Sequence, residues 1–292
     1  MTRGMSDGLT IRDFQTVEEY HDCVALQEET WGSGFSEGVS PAIQKVAQIL
    51  GGVASGAYDA EGRLIGFVFG MTGLRDGEVV HWSDMLAVRD GTRDGGLGRR
   101  LKAYQREKML RLGVETMFWT FDPLQSRNAH LNITKLGAVV REYVPDMYGD
   151  TDSPLHRGIG TDRFVALWLM RSERVVARLG EDPHAPFGGA IGVGAARALR
   201  GAVPALEAAD SPAGEAGVHP HPGEPDLQLM EDAVSVAIPS DVVSLMADDG
   251  GLAVAWRGAT RTALAHYMAR GYEVREFDRG PRVSRYVLVR GP

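Results

Sequence analysis

Apolar residues recur along the first 170 positions with two periods, dividing the chain into short strands and amphipathic helices. Residues 9–14 hold Ile11 between polar neighbours, a first strand. Val17, Tyr20, Val24, Leu26 and Trp31 follow at helical spacing, stopped by Gly32-Ser33-Gly34. Ser40-Pro41 places an N-cap before a proline at the first helical position and predicts a helix to Leu50. Residues 53–58 and 64–71 read as strands joined around Asp59-Ala60-Glu61-Gly62. A strand at 79–88, a helix at 98–112 and a strand at 115–121 come next. Ser126 or Asn128 then caps a helix reaching Leu136, followed by strands at 139–144 and 163–170 around a long loop, 145–161. The order β-α-α-β-β-β-α-β-α-β-β predicts an α/β chain of the α+β mixed-sheet kind, with helices on both faces.

The pattern lapses between 173 and 229, where Ala, Gly and Pro dominate and His219-Pro220-His221-Pro222 stands near the end. This reads as linker and loose packing, with a few helical turns near residues 195–199 and the histidines solvated rather than holding a metal. Order returns with a strand at 234–238, a helix capped by Pro239-Ser240-Asp241, a second helix at 261–270 and a terminal hairpin, 273–277 and 283–289. The expected domains are 1–172, a linker 173–229, and 230–292.

A shift of 134 positions aligns Arg127 with Arg261, Ala129 with Ala263 and Gly137 with Gly271, and carries Val140-Arg141-Glu142-Tyr143 onto Val274-Arg275-Glu276-Phe277. The end of the chain thus reads as a second copy of the last half of the first domain, against the alternative of chance likeness between two helix–glycine–strand units.

One junction is chemically distinctive. Between the strand at 79–88 and the helix at 98–112 lies Arg93-Asp94-Gly95-Gly96-Leu97-Gly98, an R-x-x-G-x-G pattern. Such a turn can aim several backbone N–H groups, backed by a helix N-terminus, at one anion. A tight strand–helix connection is the plainer reading of the glycines alone. The loop lacks the G-K-[ST] ending of a nucleotide P-loop, and the strand order lacks repeated βαβ units, which sets nucleotide-phosphate chemistry aside.

Composition narrows the partners. The chain has 292 residues, 43% hydrophobic and 24% charged, with a formal net charge of −8. An acidic chain of this size is not expected to bind nucleic acid. No apolar run approaches the ~20 residues of a membrane span. The first residues lack the apolar core of a signal peptide. Cys23 is the single cysteine, so no disulfide within the chain is expected and a buried inert thiol is the default. The expected setting is the cytoplasm.

Val88, followed five residues later by the R-x-x-G-x-G turn and a helix, resembles the acyl-CoA motif of the GNAT acyltransferase superfamily, and the element order over about residues 9–171 fits. The resemblance implies a GNAT-like fold with a C-terminal half-GNAT-like extension. It implies that Arg93, Asp94, Gly95, Gly96, Leu97 and Gly98 hold a CoA pyrophosphate, with Arg99 near the phosphates. Met85, Leu86 and Val88 would lie along pantetheine on a strand splayed to receive it. Trp119-Thr120-Phe121-Asp122-Pro123-Leu124, Ser126, Asn128, Asn132 and Lys135-Leu136-Gly137-Ala138 look like one subgroup of predicted GNAT proteins with an extra C-terminal region. Some of its members are succinyl-CoA-dependent N-acyltransferases acting on amino acids. Acetyl-CoA or succinyl-CoA is therefore the implied donor, and a small amine or amino acid the implied acceptor. The tyrosine many GNAT proteins carry before the final hairpin, as general acid, corresponds to Ile133 here. The repeat maps Ile133 onto Tyr267, making Tyr267 a candidate acid from the C-terminal half, in its own chain or across a homodimer. A non-catalytic acyl-CoA-binding protein is the alternative that the missing tyrosine suggests.

Direct acyl transfer needs a base for the amine, a polarised carbonyl and a stabilised thiolate. His81 and Asp84 on the central strand and Asp122 at the end of the next are the candidate bases. Strict alternation puts His81 and Asp84 on opposite faces unless a bulge intervenes. Histidine is often found where this chain has Asp84 in the subgroup. A strand N–H near Leu86 would polarise the carbonyl. Asn128 is a candidate pantetheine contact as well as a helix cap. Arg141, Arg157 and Arg163 are candidates for a substrate carboxylate, each with a surface ion pair as the plainer reading.

Overall fold

In the computed structural model the chain is described over residues 8–33, 35, 37–92, 96–149, 158–180, 201–209 and 219–291. In chain order the first elements are β1 (Thr10–Asp13), α1 (Val17–Trp31), α2 (Pro41–Ile49), β2 (Val53–Tyr58), β3 (Leu64–Arg75), β4 (Glu78–Val88) and α3 (Leu97–Arg111). They are followed by β5 (Thr116–Phe121), α4 (Ser126–Ala129), a π-helical turn His130–Lys135, β6 (Val139–Val144), β7 (Arg163–Leu169) and α5 (Glu173–Leu179). After these come β8 (Val203–Leu206), β9 (Ala208–Ala209), β10 (His221–Pro222), β11 (Ala233–Pro239), α6 (Val242–Asp248), α7 (Gly250–Ala269), β12 (Tyr272–Asp278) and β13 (Val283–Arg290). The mixed α/β class and the element order expected over residues 9–171 are both observed. Two compact units divide the chain, Met1–Trp119 with Trp168–Gly188, and Thr120–Leu167 with Gly189–Pro292.

In the first unit β1, β2, β3 and β4 are antiparallel neighbours in that order. β5 lies parallel to β4 through His81↔Met117 and Trp82↔Phe118. α1 begins in a capping box: Thr16 accepts from Glu19 N, and Glu19 reaches back to Thr16 N. The Arg12 guanidinium on Glu19 holds that carboxyl at about 2. α2 starts at Pro41 behind Ser40, whose hydroxyl accepts from Ile43 N at 3.4 Å. Phe14, Tyr20, Cys23, Leu26, Phe67, Phe69, Met85 and Ala87 form one buried cluster. Each large side chain there contributes about 2 kcal/mol by leaving water. Burial pushes the Cys23 thiol up to about 12, so the expected inert thiol is what the structure holds.

The second unit orders its strands β7-β6-β12-β13-β11-β8, antiparallel except for the parallel β11–β8 edge. Phe164 is its aromatic centre, ringed by Phe121, Tyr143 and Tyr286. The single helix expected to run to Leu136 is instead α4 followed by the π-helical turn, with Gln125 at the N-cap. Ser126 does not cap it, because its hydroxyl meets Ser284 Oγ at 2.9 Å. The helix expected at 261–270 begins earlier, at Gly250, despite glycines at 250, 251 and 258. Tertiary burial of Leu252, Ala253 and Trp256 outweighs the helix cost of glycine, about 1 kcal/mol each.

Parts of 173–229 are docked rather than loose. β8 pairs with β11, Asp226 N donates to Ala205 O at 2.8 Å, and Trp256 Nε1 donates to Pro220 O at 2.7 Å. β8 and Pro220 are met by residues from beyond position 232, so local composition carries no sign of those contacts. The turns expected at 195–199 lie outside the described residues.

Candidate functional site

β4 carries a bulge at Asp84. Gly70 is opposite Ser83 and Phe69 is opposite Met85, so Asp84 is the extra residue. The insertion exchanges the two faces of the strand. Before it, His81 and Ser83 face α3, bonding Gln105 and Lys102. After it, Met85 and Ala87 join the cluster formed with α1. Val88 is paired with Gly66, whose open side meets Leu97 and Leu101 of α3. Asp84 itself is exposed. Desolvation by the surrounding protein raises its carboxyl, a hydrogen bond with Trp82 opposes that, and Glu37 adds to it. The β4–β5 ladder has two registers among the described residues, ending at Trp82, while β4 runs on to Val88. The six residues from Ser83 to Val88 therefore extend beyond the described ladder.

At the end of this stretch α3 begins. Its N-cap is Gly96, in the left-handed region at φ 75°, with no side-chain cap hydrogen bond. A Cβ at Gly96 would meet nothing within 4 Å. Backbone N–H groups of the first turn carry the positive end of the helix dipole. Leu97 is buried and anchors this turn, and Gly98 is half-buried. Arg99 is also buried, and one Nη donates to the Leu179 carbonyl at the end of α5. Arg93, Asp94 and Gly95 lie outside the described residues.

His81 is at 0% exposure, with Nδ1 3.1 Å from Thr72 Oγ1 and Nε2 2.9 Å from Gln105 Nε2. The Thr72 hydroxyl donates to Gly51 O, so it accepts from Nδ1–H, and Nε2 accepts from the amide. Burial, reinforced by Lys102 and Lys108, lowers the ring to about 3. This is a satisfied core histidine, and no amine reaches it from solvent. Gly70 makes room for it: a Cβ there would fall 2.4 Å from His81 Nε2 and 2.6 Å from Trp82 O.

One neighbour of His81 gave no signal in the sequence. Lys102 of α3 is 3% exposed, its Nζ 2.7 Å from Ser83 Oγ and 3.9 Å from the centroid of the Trp119 ring. Burial pushes its ammonium well below the ordinary value. Helical periodicity assigns lysine to solvent by default, and only the neighbours across the sheet overturn that.

The remaining candidates fall in the second unit. Asp122 is buried and ion-paired: Arg257 Nη2 donates to both carboxylate oxygens at 2.8 and 2.7 Å, and Leu124 N donates to Oδ1. Arg141 pairs with Glu273 across β6 and β12. Arg163 donates to its neighbour's carbonyl, Asp162 O, and its guanidinium lies over the Tyr148 ring. Asn128 is exposed within α4 and is not the cap. Tyr267 is buried and donates to Asp226 O at 2.5 Å, stacked edge-on against Tyr272. Ile133 is at 0% exposure in the π-helical turn. Arg157 lies outside the described residues. The structure therefore brings together Asp84, Met85, Leu86, Val88, Gly96, Leu97, Gly98 and Arg99 in one unit, and puts Asp122, Tyr267, Asn128, Arg141 and Arg163 in the other.

No family model matches this sequence, and no curated protein does. Among solved structures the chain is similar to an acetyltransferase of the GNAT family from Streptococcus pneumoniae, at 19% identity and TM-score 0.45, over 55% of this chain and 99% of that one. It is similar to an acetyltransferase from Salmonella typhimurium with its cofactor acetyl-CoA, at 17% identity and TM-score 0.45, over 59% and 99%. It is also similar to a GNAT superfamily phosphinothricin acetyltransferase from Sinorhizobium meliloti in complex with acetyl-CoA, at 16% identity and TM-score 0.44, over 55% and 87%.

Proposed function

We propose that this protein is an acyl-CoA-dependent N-acyltransferase, transferring an acetyl or succinyl group directly to a small amine or amino acid. The observation that carries this reading is a bulged β4, running six residues past its described ladder with β5, followed by an α3 N-terminus whose N-cap, Gly96, is in the left-handed region. Extended backbone running past the described ladder suits an amide-bearing arm such as pantetheine, and a helix N-terminus behind a glycine N-cap suits a pyrophosphate. The residues fit the group: Met85, Leu86 and Val88 would flank the arm, and the N–H groups from Gly96 to Gly98 would meet phosphate oxygens. Acyl-CoA, when bound, supplies a thioester carbonyl and a thiolate leaving group.

Asp84 is the base in this reading. It is exposed, sits at the bulge and has a raised carboxyl, closer to the pH at which it must accept a proton from an ammonium. With acyl-CoA bound, a backbone N–H near Leu86 would polarise the thioester carbonyl; the amine would lose its proton to Asp84 as the N–C bond forms, and the C–S bond would break with coenzyme A leaving as its thiolate. Arg99 ties the first turn of α3 to the Leu179 carbonyl at the end of α5.

The test is thiol release from acetyl-CoA and succinyl-CoA over a panel of L- and D-amino acids and simple amines. Turnover with an acceptor is expected. Acyl-CoA binding without turnover for any acceptor would leave the non-catalytic alternative, which Ile133 at the tyrosine position favours.

A further inference from the structure

The bulge on β4 leaves Asp84 without a counterpart on β3, since Gly70 is opposite Ser83 and Phe69 is opposite Met85. An extra residue of this kind takes its direction from the two residues that flank it. On one side the anchor is apolar, because Met85 is buried in the cluster with α1. On the other side it is polar, because the buried Ser83 hydroxyl accepts from Lys102 Nζ at 2.7 Å. β3 offers Ser83 no side chain: its counterpart is Gly70, where a Cβ would fall 2.6 Å from Trp82 O and 2.9 Å from Gln105 Nε2. The hold comes from α3 instead. Lys102 and Gln105, on one face of the helix, meet Ser83 and His81, on one face of the strand.

The register decides where the Asp84 carboxyl stands. Were Ser83 the extra residue, Asp84 would lie opposite Gly70 and turn toward α3. Were Met85 the extra residue, Asp84 would lie opposite Phe69 and turn into the core cluster. Either slip buries the carboxyl group. A charged carboxylate resists burial by itself, but a base that has just taken a proton does so far less. The Lys102–Ser83 bond holds the register in both states of Asp84. This anchor has a cost, since burial pushes the Lys102 ammonium well below its ordinary value. Methionine would fill similar space with no amine to desolvate. A side chain that destabilises where an apolar one would serve points to function.

We propose that Lys102 is a positioning residue for Asp84, acting through Ser83 to keep the carboxyl group at the bulge. The inference concerns the first unit alone, and it rests on the acyltransferase reading, in which Asp84 is the base. Lys102 itself touches no reacting atom in this account. Its effect on turnover passes through the placement of Asp84.

Carbon-13 NMR of the Asp84 carboxyl across pH tests it, on the full chain as wild type, Lys102→Met and Ser83→Ala. Turnover and acetyl-CoA affinity are measured on the same proteins. In the wild type the carboxyl titrates above the ordinary 3.8, with desolvation as the main cause. In both variants its titration is expected to shift toward 3.8, as a loosened bulge admits water. The kcat is expected to fall roughly tenfold in each, with acetyl-CoA affinity within about twofold. The double variant should be no slower than the slower single one, because both act through one contact. Lys102→Met is expected to melt no lower than the wild type, so its lost turnover is not lost folding. An Asp84 titration unchanged in either variant, or turnover unchanged in both variants of an active wild type, would overturn the proposal. A wild type inactive toward every acceptor would sink the acyltransferase reading, and the titration alone would then uphold or overturn the hold on Asp84.

Discussion

Val140 and Val274 are register partners across β6 and β12, and they are also the two residues equated by the 134-position repeat. In an antiparallel pair, a residue lying opposite its own counterpart marks a two-fold axis. The irregularities obey the same relation, since β6 slips against β7 between Val140 and Glu142, and β12 slips against β13 between Val274 and Glu276. Two helix–glycine–strand units could resemble one another by chance. Matching bulges about a shared centre are much harder to obtain that way.

Both valines are at 0% exposure. Val140→Ala and Val274→Ala should each cost about 1–3 kcal/mol in chemical denaturation. The double variant should fall short of or exceed their sum by at least about 0.5 kcal/mol, because cross-strand neighbours share a cavity. Strict additivity would show that the two do not touch at the centre of the repeat.

Gly70→Ala should destabilise the protein by about 2–4 kcal/mol, because the new methyl falls against backbone and against the His81–Gln105 pair. Gly73→Ala on the same strand, with open space around it, is the matched control and should be close to neutral. Equal melting temperatures for the two would contradict the packing described around His81.

The buried bases give stability a pH dependence of definite sign. His81 is lowered to about 3 in the fold from an ordinary 6.5, so the unfolded chain binds the extra proton between those values. Its contribution is complete above pH 6.5 and is lost as pH falls toward 3. Lys102 is lowered too, so folding gains further as pH rises toward 10.5. The limiting slope for each is about 1.4 kcal/mol per pH unit. Lys102→Met should raise stability at neutral pH and flatten the alkaline part of the profile. A steeper alkaline rise in that variant would contradict a lysine whose ammonium form is disfavoured by burial.

Asp84→Asn should lower kcat by roughly 100-fold or more while leaving acetyl-CoA affinity within about twofold. In the wild type, turnover should fall with decreasing pH through a value above the ordinary 3.8 for aspartate, and that limb should vanish in the variant. An unchanged pH–rate profile in Asp84→Asn would remove this carboxylate from the chemistry.

Strands and helices with a clean period were legible in the sequence: α1, β2 and β6 lie where the apolar spacing puts them. What was hidden depended on partners distant in sequence. The bulge at Asp84 is a mismatch of register with β3, and no feature of β4 alone announces it. Lys102 has an ordinary polar position on its helix until Ser83 and Trp119 close over it. Asp122 is a candidate base by its place at a strand end, and nothing near it in the sequence shows Arg257, which pairs with it from 135 positions away. Tyr267 aligned with a catalytic position, yet its hydroxyl is met by Asp226 O in a segment whose composition suggested a linker.

The central claim is that the turn before α3 holds the pyrophosphate of an acyl-CoA. Isothermal titration of acetyl-CoA into the wild type and into Gly96→Glu, both checked for a cooperative melt, tests it most directly. The account predicts saturable binding by the wild type and its loss in Gly96→Glu, where a carboxylate would stand at the N-cap of α3 and repel the pyrophosphate. Equal affinity in the two proteins, or a folded wild type that does not bind acetyl-CoA, would contradict it.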